Sequence, residues 1–195
     1  MKINTFSLIF ILFASSFSLG AIAETATSTT TGTVSTSTDL TAAQKEDAQI
    51  INILRVINTN EINAGNEALK RTTNPAVRNF AQTMVTDHSE NLRKVKTFSQ
   101  KMNMLPLSSK KSTYLQNKGQ EELQTLSTVS SATFDKTYID AMVKGHEAAL
   151  TVINKKLLPD VTNPQLKVLL TATAAKVSAH LTMAQAIQSQ LTKTS

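Results

Sequence analysis

The residues of this chain best suited to metal chemistry are three histidines and one glutamate. The sequence has only three histidines, His88, His146 and His180, and each falls on an apolar stripe with helical spacing, as does Glu61. A buried carboxylate costs several kcal/mol unless it is paired or binds a cation. Neutral imidazoles with one carboxylate suit a divalent first-row metal. The pattern predicts a site for one transition-metal ion (Zn, Cu, Fe or Mn) with Glu61, His88, His146 and His180 as ligands.

A second interpretation of these residues needs no metal. Polar side chains at one level of a helical bundle can form a hydrogen-bonded layer that only fixes the packing of the helices. Met84, Met142 and Met183 each lie about one helical turn from a histidine. Thioethers beside imidazoles would favour Cu(I), but methionine also fills gaps in ordinary cores. The sequence therefore leaves the presence and the identity of the ion open.

These residues depend on four long helices for their positions. Apolar residues recur at spacings of three and four from Leu40 onward, which predicts helices. The predicted long helices cover approximately Thr41–Arg71, Pro75–Met102, Ser131–Leu157 and Pro164–Leu191, with a short amphipathic helix at Thr113–Leu126. Asn-Pro pairs at 74–75 and 163–164 are typical helix starts. Each candidate ligand lies within about four residues of its helix midpoint, or about 6 Å, so one layer across the bundle centre is possible.

The lengths of the connections predict the topology. The links at 72–74 and 159–163 are short, whereas the link between the two helix pairs is long enough to run the length of the bundle. Two antiparallel hairpins joined by one long crossover are typical of ferritin-like bundles. The sequence therefore predicts an all-α, ferritin-like four-helix bundle over residues 39–195.

The first 23 residues predict a cleaved signal peptide. Lys2 precedes an apolar run from Phe6 to Leu19, and Ala21-Ile22-Ala23 supplies the small residues that signal peptidase recognises. Residues 24–38, mostly Thr, Ser and Ala, predict a flexible leader. After cleavage no segment is apolar enough to span a bilayer as a helix. We therefore expect a protein exported to the periplasm or cell envelope, without a transmembrane segment.

The composition excludes several functional classes. Without cysteine there is no disulfide scaffold, thiolate zinc finger, iron–sulfur cluster or cysteine nucleophile. The chain carries a formal charge of +6, but its basic residues lie mostly in last helical turns, where cations complement the helix dipole. Two tyrosines and no tryptophan offer no stacking platform for single-stranded nucleic acid. No nucleophile with an oriented base is visible. We expect binding rather than catalysis, and no nucleic-acid partner.

Several blocks of the chain resemble a bacterial family of exported domains of unknown function. That family is classed with the ferritin-like superfamily, and its members often carry the label of outer membrane protein. The matching blocks are Glu61, Asn74–Ala81, Met84–His88, Phe134–Tyr138, Met142–His146 and His180-Leu181. The resemblance implies the fold and an envelope location, but no activity. A di-iron ferritin centre needs two E-x-x-H motifs, and no histidine here has a glutamate three residues before it.

Two functions follow as alternatives. The first is an exported ferritin-like bundle that binds a transition metal through a central His/Glu layer, which would not be a standard di-iron centre. The second is a metal-free structural or partner-binding envelope protein, with an unidentified envelope partner, in which the layer only fixes helix packing.

Overall fold

The computed structural model describes residues 40–193, and this part of the chain is helical and contains no β-strand. The helices are α1 (Ala42–Arg71), α2 (Pro75–Lys101), α3 (Lys110–Thr128), α4 (Ser131–Val152), α5 (Leu158–Asp160) and α6 (Pro164–Lys193). The all-α prediction is thereby confirmed. The predicted signal peptide (1–23) and leader (24–38) lie outside the described residues.

Local capping explains where the helices begin. The Asn74 side chain accepts hydrogen bonds from the Ala76 and Val77 amides, so both predictions for the start of α2 are correct, the N-cap and the proline after it. The helix in the crossover begins at Lys110, three residues before its predicted start. Ser109 and Ser112 form a reciprocal capping box, which starts this helix before the apolar spacing begins.

The helix predicted as Ser131–Leu157 changes its winding near its end. After α4 the chain forms one π-helical segment, Ile153–Leu157, and then the short α5. Pro159 lies in α5 and has no N–H to donate into the preceding turn. The widened turn lies directly before this proline, and π-helix occurs mostly as single turns of this kind.

Two apolar clusters reveal the direction of each helix. The first, here the Phe80 cluster, contains Phe80 and Met84 of α2, Phe134 and Tyr138 of α4, and residues late in α1 and α6. The second, here the Ile50 cluster, contains residues early in α1 and α6 and late in α2 and beyond α4. Helices α2 and α4 are therefore parallel to each other and antiparallel to α1 and α6. Together with the long crossover through α3, this is the ferritin-like four-helix bundle.

The crossover helix α3 packs along α1. The Asn60 side chain donates to the Leu115 carbonyl of α3, and the Arg71 guanidinium donates to the Leu126 carbonyl. Gly119 permits the close approach, because a Cβ at this position would overlap the Asn60 side chain. These contacts fix α3 in direction and register against the part of α1 that carries Glu61.

A buried polar layer separates the two apolar clusters. Asn58, His88, His146 and His180 are each at most 4% exposed and come from α1, α2, α4 and α6 respectively. On α2, for example, His88 lies between Met84 of the Phe80 cluster and Val95 of the Ile50 cluster. The fold thus places one polar residue from each long helix at the same level of the bundle.

A buried carboxylate joins the start of α6 to α1. Buried Asp47 of α1 accepts hydrogen bonds from the Thr162 backbone and hydroxyl groups and from the Asn163 amide, which fixes the start of α6 against α1.

Within residues 40–193, none of the helices is both long enough and apolar enough to cross a membrane.

Candidate metal centre

The three histidines meet at the centre of the bundle. Their ring centroids are 5.2 Å (His88–His180), 5.6 Å (His146–His180) and 6.1 Å (His88–His146) apart. One ring nitrogen from each lies within 4.8 Å of the others. A tetrahedral ion with bonds of about 2.1 Å separates its ligand atoms by about 3.4 Å. The nitrogens are therefore at most about 1.4 Å further apart (4.8 Å against about 3.4 Å) than the ligand atoms of such an ion.

The His88 ring is oriented by an asparagine of α1. Its Nδ1 lies 2.9 Å from the Asn58 side-chain oxygen. The Asn58 amide nitrogen donates to the Leu54 carbonyl at 2.7 Å, so the amide oxygen must face the histidine. A carboxamide oxygen only accepts, and His88 Nδ1 is therefore the protonated nitrogen. Its Nε2 keeps the lone pair.

The other two rings are oriented in the same way by different acceptors. His146 Nδ1 lies 2.8 Å from the Met142 carbonyl oxygen, one turn earlier on α4. His180 Nε2 lies 2.9 Å from the Asp87 carboxylate of α2, which also accepts two 3.1 Å hydrogen bonds from Lys176. Both acceptors require an N–H, so the lone pairs belong to His146 Nε2 and His180 Nδ1.

The three lone-pair nitrogens lack a hydrogen-bond donor among residues 40–193. His88 Nε2, His146 Nε2 and His180 Nδ1 are buried and have no hydrogen-bond partner in the described part of the chain. All three are acceptors, so they cannot satisfy one another. Buried polar atoms without partners are rare and costly. One cation can be shared by several imidazole lone pairs, and outward N–H bonds such as these typically orient metal-bound histidines.

Burial keeps these histidines neutral. Desolvation lowers the pKa of His88 to about 3, with smaller contributions from the charges of His180 and His146. Desolvation lowers the pKa of His146 to about 4, against the opposing effect of its bond to the Met142 carbonyl. The pKa of His180 is also lowered by burial, although its bond to Asp87 acts in the opposite direction. Neutral imidazole is the form that binds metals.

Comparison with known proteins now places the chain in a family. The family model DUF4142, a domain of unknown function, matches residues 32–187. The chain belongs to the DUF4142 family. This confirms the prediction of a family of unknown function; export and the outer-membrane label stay predictions. A comparison with curated proteins gives no match.

The fold of this DUF4142 chain is shared with a solved structure. The crystal structure of a DUF305 fragment from Deinococcus radiodurans superposes with a TM-score of 0.63 and 14% sequence identity, covering 77% of this chain and 97% of that one. At this identity the similarity shows the helical fold alone.

Glu61, the fourth predicted ligand, does not join the three-histidine group of this DUF4142 domain. Among residues 40–193 its Oε2 is buried without a hydrogen-bond partner, and burial raises the pKa of Glu61 to about 7. Burial, and after it the Glu61 charge, raises the pKa values of Glu122 and Tyr138.

The methionines predicted near the layer take two different positions. Met84 and Met142 are fully buried in the Phe80 cluster, on the same side of the histidines. Met183 is 37% exposed. The Met142 carbonyl orients His146, which gives this residue a role in the layer through its backbone.

The residues that orient the rings could not be assigned from the apolar spacing. On α1 it favours Ile57 for the buried face, but its neighbour Asn58 is 1% exposed and faces His88. Asp87 adjoins His88 in sequence, but adjacent helical positions point about 100° apart, so the spacing does not place both at one site. Asp87 acts across the bundle instead, on His180 of α6. Asn58 lies one turn before Glu61, but the sequence alone does not show that it is buried.

Proposed function

We propose that this DUF4142 domain binds one transition-metal ion through His88 Nε2, His146 Nε2 and His180 Nδ1. The observation that carries the proposal is the set of three buried, partnerless lone pairs, each on a ring whose N–H is bonded outward. Glu61 is not needed for this site. Three imidazoles leave one coordination position for a water molecule or a small ligand on a tetrahedral ion.

The donor set favours ions that accept neutral nitrogen ligands. Imidazole suits Zn²⁺, Cu, Fe and Ni, whereas Mg²⁺ and Ca²⁺ prefer oxygen. The three imidazoles are neutral, and the Asp87 carboxylate that is bonded to His180 is negatively charged. The site lies between the two apolar clusters. Within the set that the sequence predicts, Zn and Cu fit three nitrogens better than Mn, which favours carboxylate ligands.

Metal binding is tested by elemental analysis and titration of protein purified without an affinity tag. We expect one equivalent of Zn²⁺ or Cu per chain in the wild type. The His88→Ala/His146→Ala double variant should bind none, while circular dichroism shows that it remains helical. Glu90→Gln is a matched control, because this exposed carboxylate lies two residues from His88 and pairs with Lys94.

The outcome distinguishes the proposal from a metal-free layer. Loss of the bound metal in the histidine variant, with retention in Glu90→Gln, supports the site. A wild-type protein that takes up none of Zn²⁺, Cu²⁺, Mn²⁺ and Fe²⁺ on titration refutes it. The layer would then serve packing alone, as the metal-free alternative holds.

We also propose that the domain works outside the cytoplasm, in the periplasm or cell envelope. The support is the sequence pattern of residues 1–23, with Lys2, an apolar run and Ala21-Ile22-Ala23. N-terminal sequencing of protein recovered from the periplasm of a bacterial host should begin at Glu24. Protein that retains Met1 in the cytoplasmic fraction would contradict the proposal.

A further inference from the structure

One end of the bundle carries an apolar loop between lysines. The loop covers residues 102–109, after Lys101 ends α2 and before Lys110 begins α3. Leu105 of this loop is 77% exposed, more than any other large apolar side chain of residues 40–193, and Met102 is 37% exposed. Single exposed apolar residues are common on protein surfaces, so the surroundings of Leu105 decide what its exposure means.

Hydrogen bonds fix the backbone just before Leu105. The Asn103 amide donates to the Gln100 carbonyl at 3.1 Å. The Met104 amide donates to the Ser99 carbonyl at 2.9 Å, and the Ser99 hydroxyl donates back to the Met104 carbonyl at 2.6 Å. The two backbone bonds form a Schellman motif, with Asn103 in the left-handed conformation (φ 48°) that asparagine tolerates.

The backbone is fixed again just after Leu105. The Leu107 amide donates to the Ala48 carbonyl of α1 at 3.0 Å. Pro106 has a locked φ and restricts the residue before it to an extended conformation. Leu105 is therefore presented outward by a loop that is anchored on both sides.

The lysines around this loop lack acidic partners. Helices α1, α3 and α6 begin at this end of the bundle, and α2 ends at it. Besides Lys101 and Lys110, the exposed lysines at this end are Lys45, Lys111, Lys155, Lys156 and Lys167. Within residues 40–193, none of these lysines forms an ion pair with a carboxylate, whereas Lys136 at the opposite end pairs with Asp140. Unpaired positive charge thus surrounds Leu105.

Charge and exposure together identify what could cover the loop. An anionic membrane surface offers phosphate groups that attract lysines and, directly beneath them, acyl chains that bury apolar side chains. A free phosphate or a nucleic acid would use the lysines but not Leu105. The combination of an outward leucine with unpaired lysines therefore fits a phospholipid bilayer best.

We propose that this loop docks the domain on an anionic phospholipid bilayer, with Leu105 at the boundary between headgroups and acyl chains and the lysines on lipid phosphates. Docking of this kind lies on the membrane and does not span it. It goes beyond the proposed metal site and does not depend on it, since His88 lies about 20 Å from Lys101 along α2.

Flotation with vesicles tests the binding. At low salt the purified chain should float with vesicles of phosphatidylglycerol and phosphatidylethanolamine, and not with vesicles of phosphatidylcholine alone. High salt should weaken the binding, because it screens the lysines. Lys101→Gln/Lys110→Gln should lower the partition coefficient about 25-fold, at about fivefold per lysine. Lys144→Gln/Lys193→Gln makes the same change of charge away from the loop and should lower it much less.

Tryptophan fluorescence tests the insertion of the loop. The sequence has no tryptophan, so a single introduced one reports its own surroundings. The emission of Leu105→Trp should shift to the blue with anionic vesicles and be quenched by brominated acyl chains. Thr73→Trp, in the loop between α1 and α2 at the opposite end, should show neither effect. Leu105→Asn should lower the partition coefficient about tenfold or more, and circular dichroism should show an unchanged fold.

The remaining outcomes overturn the proposal. No binding, or equal binding to phosphatidylcholine vesicles, removes the role of the lysines. An unchanged partition coefficient in Leu105→Asn, or unchanged emission from Leu105→Trp, shows adsorption by charge alone. An equal loss in Lys144→Gln/Lys193→Gln shows that only net charge matters. The His88→Ala/His146→Ala variant should bind vesicles as the wild type does, so a failure of the metal proposal would leave this one intact.

Discussion

Asp87 provides the sharpest test of how the histidines are held, because it orients a ring without being a ligand. Its carboxylate lies 2.9 Å from His180 Nε2 and fixes the lone pair on Nδ1. The Asp87→Asn substitution keeps an oxygen that can accept the bond but removes the charge. The lost charge is one of the effects that raise the pKa of His180, and a bond to a neutral oxygen is weaker than one to a carboxylate, so the ring becomes a weaker base.

The expected loss of metal affinity follows from this geometry. Removing an outer-layer partner of a metal-bound histidine weakens binding by about 10- to 100-fold, which corresponds to about 1.4–2.7 kcal/mol. The assay is competition for Zn²⁺ against a chromophoric chelator at neutral pH and fixed salt. Circular dichroism of each variant shows whether the bundle remains folded.

Lys176 supplies the matched control. It bonds the same carboxylate but is exposed, with a side chain that is 60% accessible. Lys176→Gln should change Zn²⁺ affinity by less than about fivefold, since an exposed ion pair contributes ~1 kcal/mol or less. If Asp87→Asn binds Zn²⁺ as tightly as the wild type, the outward hydrogen bond does not hold His180 for a metal, and the reasoning about ring orientation is wrong.

Three further results are expected. Zn²⁺ affinity should fall by at most about tenfold from about pH 7.5 to about pH 5.5, because the lowered pKa values of His88 and His146, about 3 and about 4, keep protons from competing at these two ligands. A histidine of ordinary pKa would lose about tenfold per ligand over this range, and a steep loss would contradict the burial argument. Tyr138→Phe should raise the free energy of unfolding in EDTA by about 1 kcal/mol or more, since it deletes a buried hydroxyl that has no partner among the described residues. Thermal melts should show no such gain for Tyr114→Phe. A destabilised Tyr138→Phe would show that the Tyr138 hydroxyl does have a hydrogen-bond partner. Asp47→Ala should cost about 3 kcal/mol in urea unfolding, because it removes a charged acceptor of three hydrogen bonds, while the Zn²⁺ stoichiometry should not change; a change would link the start of α6 to the metal centre.

The fold was predictable because its signals are local. Asn74 followed by Pro75 marks a helix start, and the structure places the N-cap there. Three- and four-residue apolar spacing and two short connections were enough to predict antiparallel hairpins with one crossover. The start of α3 and the π-turn before Pro159 were missed, because a serine capping box and a change of winding leave the periodicity almost unaltered.

The candidate site was predictable only in part. The convergence of His88, His146 and His180 followed from their positions near the midpoints of three helices, and the structure brings them together. The roles of Asn58 and Asp87 depend on how far each helix is rotated about its axis. Whether Ile57 or Asn58 is buried depends on a rotation of α1 by one residue position. A sequence pattern does not determine that rotation. Glu61 left the predicted group for a similar reason, since its surroundings depend on how α3 packs on α1.

The most direct test of the three-histidine centre is a long-range ¹H–¹⁵N NMR spectrum of the imidazoles, with and without Zn²⁺. The chain has only three histidines, so each ring can be assigned. We expect all three rings to be neutral at pH 7, with the N–H on Nδ1 of His88 and His146 and on Nε2 of His180. Zn²⁺ should then shift His88 Nε2, His146 Nε2 and His180 Nδ1 together at one equivalent. Opposite tautomers, or imidazole signals that do not shift when Zn²⁺ is added, would contradict the proposed three-histidine site.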